Sequence, residues 1–138
     1  MANVSRIKLE NTTYDIKDTV ARNRDNYSTT EQAIGTWIDG KTIYRKVYNL
    51  TCTLDNNYYY TYTGDSATIM NIDTLVKYDA YIKRDTVIFK IPNSKSYNCM
   101  AYIQRSYGAI SLACDTNVAT SFDGKPLIII LEYTKVNE

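Results

Sequence analysis

From Thr42 to Leu54 the chain alternates for thirteen residues. Tyr44, Lys46, Tyr48, Leu50, Cys52 and Leu54 fall on one face; Ile43, Arg45, Val47, Asn49, Thr51 and Thr53 fall on the other. Period two over that length specifies a long strand, and its two usable faces suit an antiparallel sheet better than a parallel one buried on both sides. Such a strand needs neighbours, and the rest of the chain supplies them. Tyr58 to Thr63 reads as a strand with an aromatic surface, after a break at Asp55-Asn56-Asn57. Tyr78 to Lys83 and Thr86 to Ile91 read as two strands with Arg84-Asp85 near the turn. Tyr97 to Arg105 and Ala109 to Cys114 read as a hairpin joined around Tyr107-Gly108. Pro126 to Thr134 closes the set, and its nearly continuous apolar stretch implies burial on both sides.

Asp39-Gly40, Gly64-Asp65-Ser66 and Asp123-Gly124 supply turns between these runs. Ala67 to Tyr81 is ambiguous: Ile69, Ile72 and Leu75-Val76 suit a short helix, while Asn71 and Asp73 suit a loop. About eight strands with no convincing long helix make the chain all-β. The expected fold is an antiparallel β-sandwich, jelly-roll-like, or else a small barrel. A length of 138 residues suits one ordinary domain.

The N-terminus carries a smaller unit. Val4, Arg6 and Lys8 alternate with Ser5, Ile7 and Leu9; Glu10-Asn11-Thr12 punctuates, and Tyr14 and Ile16 resume. This is a short hairpin pattern, and an isolated hairpin is marginal in water. Ile7, Leu9, Tyr14 and Ile16 therefore need another surface and become candidate attachment residues. Lys17 to Asn26 is polar with alternating charge and reads as a linker. The expected division is an attachment arm and linker over 1–26 and a sandwich over 27–138.

Composition narrows the chemistry. There are no histidines, which removes Ser-His-Asp and Cys-His catalysis and the usual zinc and haem ligand. The acidic residues are scattered, and Asp39, Asp55, Asp65 and Asp123 lie at turns, where an aspartate ordinarily satisfies nearby backbone N–H groups, so no catalytic pair is expected. Asp55, Asp65 and Asp123 offer oxygen ligands in loops but lack EF-hand spacing. The five glycines are isolated, so no phosphate loop exists. No catalytic, cofactor or metal residue is assigned, and the chain is expected not to be an enzyme. Sixteen basic against fifteen acidic residues give a formal charge of +1, which argues against nucleic acid and anionic membrane as partners. Lys41, Arg45 and Lys46 cluster locally and read as a solvated strand end. No run has signal-peptide or membrane-span length. Cys52, Cys99 and Cys114 match no CxxC pattern and read as buried thiols of a chain made in a reducing cytosol.

The remaining signal is aromatic: fourteen tyrosines against two phenylalanines and one tryptophan. A tyrosine joins a large apolar ring to a polar tip, which suits wet interfaces and stacking on sugars. Trp37, Tyr44, Tyr48, Tyr58 and Tyr60 are the candidates for partner or glycan contact. The alternative is that these tyrosines simply cover sheet faces or subunit contacts.

The run YSTTEQAIGTWIDGKTIYRKVYNL, Tyr27 to Leu50, resembles a module of structural proteins from tailed phages and prophages of low-GC Gram-positive bacteria. NIDTLVKYDAYI, Asn71 to Ile82, and GKPLIIILEYTK, Gly124 to Lys135, resemble later parts of that module in the same order. IKLENTTYDIKDTVARN, Ile7 to Asn23, resembles its lead-in, whereas Lys83 to Asp123 departs from the pattern. The resemblance implies a non-enzymatic virion protein, a homotrimer made in the bacterial cytoplasm and displayed on the particle. It implies contacts with other virion proteins and, in the adhesive members, with host surface glycans. With neither heptads nor collagen repeats for a shaft, a head fibre or capsid decoration protein is favoured over the receptor-binding tip of a tail fibre or baseplate.

Overall fold

The computed structural model describes residues 6–9, 12–15, 23–56, 59–91, 99–115 and 120–137, with side chains from residue 23 onward apart from Asn56. The N-terminal pattern forms a hairpin of β1, Arg6–Leu9, and β2, Thr12–Asp15, in which Ile7 pairs with Tyr14 and Leu9 with Thr12. It is a two-stranded sheet of its own. Ile16 lies outside the described residues.

The long alternation, expected to run to Leu54, becomes β4 only over Thr42–Thr51, and Leu54 starts a strand of the other sheet; β4 is preceded by β3, Gln32–Thr36. The Asp39-Gly40 turn joins them: Gly40 has φ +89°, and Asp39 Oδ1 accepts from the Lys41 N–H at 3.0 Å. Next come β5, Leu54–Asn56, β6, Tyr59–Tyr62, and a five-residue helix α1, Ser66–Met70. Then follow β7, Ile72–Arg84, β8, Val87–Ile91, β9, Met100–Gln104, β10, Ala109–Ala113, and β11, Pro126–Lys135. All pairing is antiparallel, in a five-stranded sheet ordered β3-β4-β11-β7-β8 and a four-stranded sheet ordered β5-β6-β10-β9. Successive hairpins are dealt alternately to the two sheets, and β11 returns to fill the centre of the first. The fold is an all-β antiparallel sandwich.

Register explains the core. Leu50, Leu127, Ile82 and Phe89 form one row across the large sheet, and Tyr48, Ile129, Ala80 and Ile91 form the next. These rows meet Tyr60, Ile110 and Leu112 of the small sheet, with Ile69 of α1 and Phe122, in one apolar cluster. Leu127, Ile129 and Leu131 are each fully buried, contributing about 1.5–3 kcal/mol apiece relative to exposure.

Several expectations are corrected. β11 is not buried on both sides: Leu127, Ile129, Leu131 and Tyr133 face the core, while Ile128 is 41% exposed. Its apolar run fits a central strand, but only one face of this sheet meets the other sheet. Bulges at Glu132/Tyr133 and Tyr133/Lys135 then bury Tyr133 and Thr134 in succession. The ambiguous stretch is helical only over Ser66–Met70; β7 starts at Ile72, six residues earlier than expected, because β11 is long enough to pair with it from Lys135 to Leu127. Of the expected linker, Lys17 to Asn26, residues 23–26 are described. Asn23 Nδ2 donates to the Ala33 carbonyl at 3.2 Å, and the Arg24 carbonyl accepts from Arg45 Nη1 at 2.7 Å. Asn23 and Arg24 are thus hydrogen-bonded to β3 and β4.

Candidate functional site

Lys46 and Tyr48 lie two residues apart on β4, so both point to the inner face of the large sheet. Lys46 sits in a row with Leu131 and Tyr78. A lysine there requires a carboxylate, because an unpaired charge facing apolar neighbours is costly. Asp65 supplies it. It stands at the N-terminus of α1, yet its side chain caps none of the helix's backbone N–H groups. Its Oδ2 instead accepts from Lys46 Nζ at 2.7 Å and from the Tyr48 hydroxyl at 2.6 Å. The helix is placed by Gly108, in the left-handed region with φ +60° behind the 3-10 turn Arg105–Tyr107. A Cβ on Gly108 would lie 2.7 Å from both Cα and Cβ of Ser66. That close approach sets the start of α1, and hence Asp65, against the β9–β10 hairpin.

These groups border a half-open cleft of about 360 Å3, floored by Leu50, Ile69 and Ile110 and flanked by Tyr62, Gly64 and Thr29. Burial pushes the Asp65 carboxyl up, but hydrogen bonds from Lys46, Tyr48 and Thr68 outweigh it and hold the carboxyl below the usual range. Burial and the adjacent Asp65 carboxylate push the Tyr48 hydroxyl up. Asp65 is therefore ionised and Tyr48 protonated through the neutral range, so neither is poised to exchange a proton there. What the cleft offers is an apolar floor beside a paired cation and anion, which suits a neutral ligand with hydroxyl groups.

A second polar cluster adjoins β3. The carboxylate of Glu31 accepts from both the Tyr133 hydroxyl and Lys135 Nζ. Lys135 lies 3.9 Å above the Tyr44 ring centre, and Tyr44 and Tyr133 are 6.2 Å apart. Desolvation and the bond to Glu31 push the Tyr133 hydroxyl up. On the opposite face of the sheet, Arg45 pairs with Glu132 at 2.7 Å, both largely buried, and lies 4.3 Å over the Tyr27 ring.

The described candidates Trp37, Tyr44, Tyr48 and Tyr60 do not form one surface. Tyr44 is half-buried beneath Lys135, and Tyr48 is buried at the cleft wall. Tyr60 is 0% exposed: it packs in the core, because alternation along β6 turns it inward and leaves Tyr59 outward. Trp37 is half-buried at the β3–β4 turn, where its backbone exchanges hydrogen bonds with Lys41 and Gly40. Tyr58 lies outside the described residues. Among the described residues, the exposed tyrosines are Tyr27, Tyr59 and Tyr107.

Two charge readings are also corrected. The basic cluster is not a solvated strand end: Lys41 pairs with Asp73, Arg45 with Glu132 and Lys46 with Asp65. Asp65 is not a turn aspartate serving nearby N–H groups, although Asp39 is, and Asp123 accepts from the distant Leu54 N–H. The signal for Lys46 was present in the alternation, which set it between two tyrosines on the face that carries the core. Among the described residues no three His, Cys, Asp or Glu side chains converge as a metal site, and no helix is long and apolar enough to cross a membrane. No family model, curated protein or solved structure matches the chain.

Proposed function

We propose that the chain is a non-enzymatic structural protein of a phage virion, a homotrimeric head fibre or capsid decoration protein displayed on the particle. The observation that carries this reading is the N-terminal hairpin, a two-stranded sheet that shares no strand pairing with the sandwich among the described residues. It fits an arm-and-body organisation in which the arm, with Ile7, Leu9, Tyr14 and Ile16 as attachment residues, docks on another virion protein. Exposed Tyr27, Tyr59, Tyr107, Ile38 and Met100 give the body contact area for sister subunits or partners.

A second reading, the receptor-binding tip of a tail fibre or baseplate, is favoured by the cleft. Its Lys46–Asp65 pair and apolar floor match the hydroxyls and ring faces of a neutral host glycan. Antibody labelling of particles released by the strain that carries the gene separates the readings. Regular label on capsids supports the first, label confined to the tail end selects the second, and unlabelled particles refute both. Sedimentation of the purified chain at micromolar concentration should give three times 15.8 kDa; a clean monomer removes the trimer.

A further inference from the structure

The β9–β10 hairpin ends on two cysteines. Its register runs from Ala109 opposite Gln104 to Ala113 opposite Met100, and Cys99 and Cys114 are the residues that flank this last pair. Both are free thiols, both are buried, and their sulfur atoms are in hydrogen-bond contact at 2.7 Å. That contact shows that the two side chains already point at each other, so little backbone movement is needed to reach disulfide geometry. The third cysteine, Cys52, is buried in the same core but lies off this ladder, between β4 and β5.

We propose that Cys99 and Cys114 are a dithiol that closes into an intramolecular disulfide on meeting a low-molecular-weight disulfide, while Cys52 stays reduced. The thiolate of Cys99 attacks one sulfur of the small disulfide, forming a mixed disulfide and expelling one small thiolate. Cys114 then loses its proton to solvent and attacks the Cys99 sulfur, forming the protein disulfide and expelling the second small thiolate. Two protein thiols are oxidised and one small disulfide is reduced to two thiols. The contact with Cys114 holds the Cys99 thiol down, which favours its thiolate once the hairpin end opens. Both sulfurs are covered, so the first attack requires local opening of the hairpin end and is slow, whereas closure is fast because the second sulfur is already adjacent. The bond pins the open end of the hairpin, and for a loop of about 15 residues the melting temperature of a domain this size should rise by about 5–10 °C.

The test uses the full chain equilibrated in oxidised and reduced glutathione, quenched in acid, alkylated and weighed intact. Trypsin cleaves after Arg105 and so separates the two cysteines. The wild type and Cys52→Ser should each lose two thiols, with the Cys99 and Cys114 peptides linked and a higher melting temperature. Cys99→Ala and Cys114→Ala should form no intramolecular link. A link involving Cys52, a glutathione adduct with no protein disulfide, a disulfide between chains, or three thiols that stay free in fully oxidised glutathione would each overturn the proposal. Because Cys52→Ser retains the pair, a folding failure in either alanine variant leaves the test decisive. The chemistry does not depend on the virion reading.

Discussion

Gly108 is the position where one added methyl group should cost most. Two effects combine there. Its φ of +60° and ψ of +38° place it in the left-handed region, which costs a residue with a side chain about 1–2 kcal/mol. Its Cβ would also lie 2.7 Å from Ser66 Cα and 2.9 Å from the Ser66 carbonyl oxygen. Those are backbone atoms and cannot rotate away, so overpacking adds about 1–3 kcal/mol. Gly108→Ala should therefore destabilise by about 2–5 kcal/mol, or about 6–15 °C in melting temperature for a chain of this length. Gly124, with φ +74°, and Gly40, with φ +89°, have no atom within 4 Å of the added carbon. Their alanine variants carry strain alone and should lose about 3–6 °C. Gly108→Asn is the diagnostic companion, because asparagine tolerates the left-handed region but keeps the clash. It should stay well below the wild type. Circular-dichroism melts of the four variants decide the matter. If Gly108→Ala melts within about 2 °C of Gly124→Ala, the contact with Ser66 contributes nothing and the account of how α1 is positioned fails.

Three further outcomes follow from the charge pairs and the chain start. Arg45→Met strands the largely buried Glu132 and should cost about 3–5 kcal/mol, whereas the double variant Arg45→Met/Glu132→Leu should recover most of it; urea denaturation of the single and double variants measures the difference. Asp65 has its carboxyl held low in the folded state, so its contribution is present above the unfolded value near 3.8 and is lost as pH falls through the lower folded value; Asp65→Asn should flatten the acid limb of stability measured from pH 5 to pH 2, and an unchanged limb would refute the Lys46–Tyr48 assignment. Deleting residues 1–22 should leave cooperative melting unchanged, whereas deleting 1–26 removes the Asn23 and Arg24 contacts with Ala33 and Arg45 and should cost about 1–3 kcal/mol by the same melts.

What the chain determines by itself is local. Ten of the thirteen alternating residues make β4, because period two places successive side chains on opposite faces. The turns at Gly40, Gly108 and Gly124 were legible because positive φ is a property of the residue, and the Arg84-Asp85 turn holds Asp85 at φ +54° for a related reason. The hairpins β1–β2, β7–β8 and β9–β10 needed only short-range pairing. Alternation does not say which face will be covered, or by what. That Tyr60 is core and Tyr59 surface, and that Ile128 faces outward, depends on where each strand sits relative to the opposite sheet. The polar sites are more distant still: Lys46 meets Asp65 across 19 residues, Arg45 meets Glu132 across 87, and Tyr133 meets Glu31 across 102. Sequence shows that a lysine on a core-facing strand requires a counter-charge. Only the closing of the two sheets and the approach of α1 to Gly108 decided which carboxylate would reach it.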